Sequence, residues 1–277
     1  MIAQQLDNLM VTSFMLFLDH EIQRQGGAFA NRSSLFYPEP SDVQGIYVYS
    51  SPYLQMCNDT SISGANIMSG IYLNGNYITV GQSGLVAINH YEGDVRFNTQ
   101  LPKNTQISGN FAVKDFNIYL ADQPDYNVIM SEKYSANPKY SQTATGIPLG
   151  NKVMPAVFLV PKEQEAKNLA FAGIDDNAMR IRAMVVCENV YQRVAVCNIL
   201  KNLKLRQFKL VASTPFDYLG NMTGQNYNYD TLPYYGSYSP FVFKSKVTEI
   251  PNVGAYTDAT KQFAMVDIDL SVWASHP

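Results

Sequence analysis

The sequence predicts an α+β fold: an N-terminal helix, a small antiparallel β-barrel or sandwich, and then a mixed α/β domain. Three observations predict it. Residues 2–25 carry apolar side chains at helical spacing. Residues 35–125 break into short runs of strand formers, with a turn about every ten residues. From Met154 to Val211 the pattern changes to strand, loop, strand, helix, strand. The organisation expected is a helix over 1–30, a β domain over 31–125, a linker over 126–150 and an α/β domain over 151–277. An irregular insertion at 213–240 interrupts the last of these.

In the first helix, Ile2, Leu6, Leu9, Met10, Leu16 and Phe17 form one stripe. Val11, Met15, Leu18 and Ile22 form a second on the opposite side. A helix apolar on two faces needs cover on two faces, here expected from its own chain and a neighbour. The apolar run 14–18 is too short to span a bilayer. The polar face carries Asp7, Asp19 and Glu21, with Arg24 only at the end. Interfacial membrane helices favour Lys and Arg there, so no membrane partner is expected. Gly26-Gly27 ends the helix.

In the β region, 71–73 and 77–80 flank Asn74-Gly75-Asn76, a hairpin signal. Runs 85–90 and 94–97 flank Tyr91-Glu92-Gly93, a second hairpin. Runs 46–49, 111–113 and 116–120 complete the set. Segment 121–150 is polar and irregular and reads as the domain boundary.

Pro155-Ala-Val-Phe-Leu-Val160 suits a buried strand. Residues 179–187 alternate at first, with Arg180 and Arg182 on one face, then become fully apolar. Asn189 is a candidate N-cap for a helix to about Leu203, and 207–212 reads as a returning strand. That helix is apolar nearly all round, which implies burial against its own sheet and another subunit. In the late strand 262–273, Ala264, Val266, Ile268, Leu270, Val272 and, just beyond it, Ala274 form the core face, with Asp267 and Asp269 opposite.

Charged residues make up 16% of the chain and the net charge is −3, so no basic footprint marks a nucleic-acid binder. Sparse charge with 19 tyrosines instead suits a surface covered by neighbouring subunits. Three cysteines, Cys57, Cys187 and Cys197, give no CxxC and no disulfide framework, and read as small buried hydrophobes. No G-x-S-x-G, Walker A, G-x-G-x-x-G or H-E-x-x-H pattern occurs. His20, His90 and His276 stand beside no evident nucleophile. Asp267 and Asp269 share a strand face and are close enough to pair or hold a cation, although a solvated face is the simpler reading. No catalytic residue, metal or cofactor is expected.

Lys201, Lys204, Arg206 and Lys209 follow the second helix, where a helix C-terminus favours cations. Their sharper reading is contact with DNA or an acidic neighbour. Segment 213–240 holds Tyr218, Tyr227, Tyr229, Tyr234, Tyr235 and Tyr238. Tyrosine offers large contact area at low entropy cost, so Tyr227, Tyr229, Tyr234 and Tyr235 are the candidate partner-binding residues.

The run Pro155–Val160, Arg180–Val186, the helix Asn189–Leu203 and the strand Gln262–Trp273 together resemble the small α/β domain of tail-terminator and related neck proteins of tailed bacteriophages. The likeness is one of pattern and covers roughly the C-terminal half. Residues 84–97 and 107–119 also resemble virion structural proteins of tailed phages. The resemblance implies a non-enzymatic virion protein that forms a homo-oligomeric ring in the neck, terminating the tail and joining it to the head. Its partners would be copies of itself and other neck and tail proteins, with DNA passing through the lumen without sequence-specific contact. The alternative is a receptor- or carbohydrate-binding adhesin, suggested by the Tyr- and Asn-rich β region.

Overall fold

The computed structural model describes residues 2–41, 43–121, 128, 134–135, 152–168, 175–212, 215, 223–249 and 261–274. The class is α+β, as predicted. Helix α1 (Ile2–Gly26) leads into β1 (Phe29–Glu39) through Gly27, whose φ of +54° suits glycine. A seven-stranded antiparallel sheet follows, in the order β4-β3-β7-β1-β2-β6-β5. Its other members are β2 (Tyr47–Ser50), β3 (Gly70–Leu73), β4 (Asn76–Thr79), β5 (Leu85–Asn89), β6 (Asp94–Phe97) and β7 (Ile107–Lys114).

The two outer strands of that order, β4 and β5, are consecutive in the chain, and Gly81 N donates to Leu85 O between them. The sheet therefore curls almost closed. One apolar interior receives side chains from all round it, including Phe36, Ile71, Ile78, Leu85, Phe97 and Phe111. The expected hairpins are present. Asn74 and Gly75 both have positive φ, as a two-residue type I′ turn requires. Gly93 closes the second, because a Cβ there would lie 1.8 Å from Tyr53 O.

The second sheet has five strands in the order β13-β14-β12-β11-β8. They are β8 (Asn117–Leu120), β11 (Ala156–Asn168), β12 (Asp175–Cys187), β13 (Tyr238–Glu249) and β14 (Gln262–Ala274). A short parallel pair, β9 (Tyr134–Ser135) with β10 (Lys152–Val153), precedes β11. Run 116–120, grouped by sequence with the β region, instead pairs parallel to β11 and opens the second sheet. Apart from Val128, Tyr134 and Ser135, the predicted linker 126–150 lies outside the described residues.

Strand period divides the second sheet cleanly. Met179, Ile181, Ala183, Val185 and Cys187 face the helices with Val266, Ile268 and Leu270. Met184, Val186, Phe158 and Phe263 make an apolar patch on the other face. That face turns ionic further along. Arg180 meets its register partner Asp269 at 2.8 Å, and Arg182 meets Asp267 at 2.7 Å. The two aspartates are thus each neutralised by a cross-strand arginine instead of pairing with each other over a cation.

Helix α2 (Val190–Lys201) is capped by Asn189, whose side chain accepts from Gln192 N at 2.9 Å. It buries Val196, Cys197 and Leu200 on the sheet, while Val190, Tyr191 and Val194 remain exposed. The expected returning strand 207–212 is not a member of the sheet. It makes isolated bridges, Gln207 with Phe241 and Val211 with Tyr234, because β13 takes the place beside β14 and leaves 207–212 only its outer edge.

The neighbour expected on the second face of α1 is also corrected. One side of α1 joins the core of the second sheet. The other is covered by its own chain: Phe208 packs 5.7 Å from Phe14 and 5.5 Å from Phe17, and Val211 N donates to Ser13 Oγ. Met10, Phe14, Leu16 and Leu18 are fully buried.

Candidate functional site

The polar heart of the molecule lies where α1, the barrel loop before β3 and segment 223–231 meet. That segment crosses to the barrel through backbone bonds. Tyr227 N donates to Asn58 O at 3.0 Å and Thr60 N to Tyr227 O at 2.8 Å. Gly224 approaches so closely that a Cβ would lie 2.0 Å from Asn89 Oδ1, and its φ is +75°. Beside it, the buried His90 ring sets Nδ1 2.8 Å from Gly224 O and Nε2 2.9 Å from Met68 O. Burial pushes the His90 imidazole below its ordinary value, assisted by the nearby Lys114 charge, against the two carbonyls that pull it up. The chain then turns in a short 3-10 helix, Tyr229–Thr231, capped by Asn228.

Two consecutive polar residues of α1, Asp19 and His20, point into this junction. Asp19 accepts from Lys114 Nζ at 2.8 and 3.0 Å, from Gln23 Nε2 at 2.8 Å and from the Tyr227 hydroxyl at 3.2 Å. Burial, then the Asp19 charge, holds the Tyr227 phenol well above its usual range.

His20 Nδ1 lies 2.8 Å from Asp59 Oδ2, and Tyr229 stacks on the imidazole at 4.4 Å. Asp59 is fully buried. Burial alone would raise its carboxyl. Hydrogen bonds from His20, from the Ser61 hydroxyl and amide and from Tyr229 N outweigh burial and leave it lowered. An ionised carboxylate only accepts, so His20 Nδ1 carries its proton and Nε2 is the ring's remaining polar atom.

His20 also lines an open cleft of about 480 Å³ with Phe17, Arg24, Phe208, Lys209 and Asp230. Asp59 therefore fixes the orientation of an imidazole that borders this cleft. Ser61 Oγ is 3.3 Å from Nδ1, the same nitrogen that Asp59 occupies. A serine nucleophile would need the opposite nitrogen, so this trio is not a Ser-His-Asp triad.

Of the sequence candidates, Tyr227 and Tyr229 are buried inside their own chain, where they meet Asp19 and His20. A side chain so enclosed has no area to offer a partner, which corrects that reading for these two. Tyr234 remains 55% exposed, and Tyr235 packs half-buried against the core. Lys201, Lys204 and Arg206 are exposed. Lys209 leaves that group, since its Nζ donates to Asp230 O at 2.8 Å and sits over the Tyr229 and Tyr234 rings.

Sequence reasoning missed the Asp59–His20 and Lys114–Asp19 pairs. The available signal was the placing of Asp19-His20 in the second half of a strongly apolar helix. Cys57, Cys187 and Cys197 are buried, as expected, and burial raises the thiols of Cys57 and Cys187 to about 12. Among the described residues no group of three or more His, Cys, Asp or Glu is arranged to hold a metal ion, and no helix is long and apolar enough to cross a membrane. Neither the protein-family models nor the curated proteins compared with this chain match it.

Proposed function

We propose that this chain is a non-enzymatic structural protein of a tailed-phage particle, forming a ring in the neck that terminates the tail and joins it to the head. One observation carries the assembly part of this reading. Large apolar side chains stand exposed around the second sheet: Tyr191 at 88%, Leu205 at 69%, Phe243 at 59% and Tyr234 at 55%. Leu205 and Phe243 are near neighbours, because Leu205 N donates to Val242 O. Aromatic and aliphatic side chains presented in this way suit contacts between subunits. The neck location rests on the sequence resemblance. In such a ring the exposed Lys201, Lys204 and Arg206 are candidates to face DNA or an acidic neighbour, and Tyr234 and Tyr235 to touch an adjoining chain.

The test is the mass of the purified chain in solution, with negative-stain imaging. Closed rings that dissociate in a Tyr191→Ser/Leu205→Ser/Phe243→Ser variant of unchanged circular dichroism support the reading. A monomer at all concentrations, in the presence and absence of other neck components, refutes it. The adhesin reading is favoured by a different observation, the paired Tyr72 and Tyr77 rings 5.2 Å apart on the β3–β4 hairpin, with Tyr77 half exposed. Glycan binding lost on Tyr77→Ala would establish it.

A further inference from the structure

We infer that the junction of α1, the barrel and segment 223–231 contains a binding site for a single water molecule, held between Lys114 Nζ and Asn58 Oδ1. A cavity of about 10 Å³ lies there, lined by Asp19, Gln55, Asn58 and Lys114 among apolar neighbours that include Met15 and Met56. That volume matches the space of about 10–15 Å³ that the centre of one buried water needs. The polar groups around it are left one donor and one acceptor short.

A lysine ammonium has three N–H groups. Lys114 directs two of them to Asp19 Oδ1 and Oδ2 and has a third remaining. Asn58 is 3% exposed. Its Nδ2 donates to Gln225 O at 3.0 Å, which sets the orientation of the amide, and its Oδ1 has no hydrogen-bond partner among the described residues. Water answers both needs, accepting from Lys114 and donating to Asn58, with a second hydrogen available for Asp19 or Gln55. A cation at this place would face the Lys114 ammonium, and an anion the Asp19 carboxylate, so the neutral ligand is the one the charges admit. The bridge would tie the barrel loop, which already holds Gln225, to the ion pair that anchors α1. It is independent of the neck reading.

A crystal structure of the full chain that orders internal solvent tests this. Density for a water about 2.7–3.2 Å from both Lys114 Nζ and Asn58 Oδ1 is expected. Oxygen-17 relaxation dispersion should then count one fewer long-lived internal water in Asn58→Leu, which removes the acceptor and fills the space. If that variant fails to fold, Lys114→Met removes the donor and should lose the same water. A cavity free of density, one filled by a rearranged Gln55, or a water count unchanged in the folded variant overturns the proposal.

Discussion

Replacing Lys114 with Met keeps most of the unbranched apolar stem and removes the charge that faces Asp19. In the native protein the two groups meet at 2.8 Å with side chains only 7% and 8% exposed. At that distance their attraction is about 6 kcal/mol for an effective dielectric of about 20, and solvent screens little of it. Both ions were also withdrawn from water, at a cost of several kcal/mol each, so the intact pair contributes far less than its attraction. Lys114→Met removes the attraction and leaves the Asp19 desolvation in place. The Gln23 amide and the Tyr227 hydroxyl still donate to the carboxylate, which keeps the loss near the lower part of the about 3–5 kcal/mol typical of a broken buried pair.

For a chain of this size such a loss lowers Tm by on the order of 10 °C. The double variant Asp19→Leu/Lys114→Met removes the stranded charge, and its main defect is the Tyr227 hydroxyl left without its partner, at about 1–3 kcal/mol. It should therefore be more stable than Lys114→Met alone. Urea unfolding of the wild type, both single variants and the double variant gives the coupling energy directly. A loss below about 1 kcal/mol for Lys114→Met, or a double variant as unstable as the sum of the singles, would refute the view that this pair anchors α1.

Three further outcomes are expected. His90 is lowered below its ordinary value of 6.5, so the unfolded chain takes up the proton first; stability should be full above about 6.5 and fall as pH drops towards the folded value, and His90→Gln should flatten that fall in thermal melts across pH 7 to 5. Gly224→Ala forces a Cβ against Asn89 at a positive φ, so segment 223–231 should detach and be cleaved faster in limited proteolysis, with an overall loss of about 2 kcal/mol or more. Deleting residues 2–26 should abolish the cooperative transition in calorimetry, because it removes four fully buried apolar side chains and the partner of Lys114; a truncated chain that still unfolds cooperatively would contradict the packing of α1.

By itself, the sequence determined the local elements and their facing. Helical spacing in 2–25, the Asn74-Gly75 turn, the Asn189 cap and the alternation in 264–272 are short-range signals, since each depends on sterics or hydrogen bonds within a few residues. The structure carries all of them. What covers an apolar face is not a local property. One face of α1 reads in the sequence as a surface for a neighbour, yet Phe208 and Val211, nearly two hundred residues away, close it. The tyrosines of the insertion divide for the same reason: Tyr227 and Tyr229 meet acids of α1 and the barrel loop, while Tyr234 does not. Only the tertiary structure decided that Asp19 meets Lys114 and His20 meets Asp59 in one buried junction. Their partners lie 39 and 95 residues apart in the chain, a separation that no periodicity encodes and that only packing brings within hydrogen-bond reach.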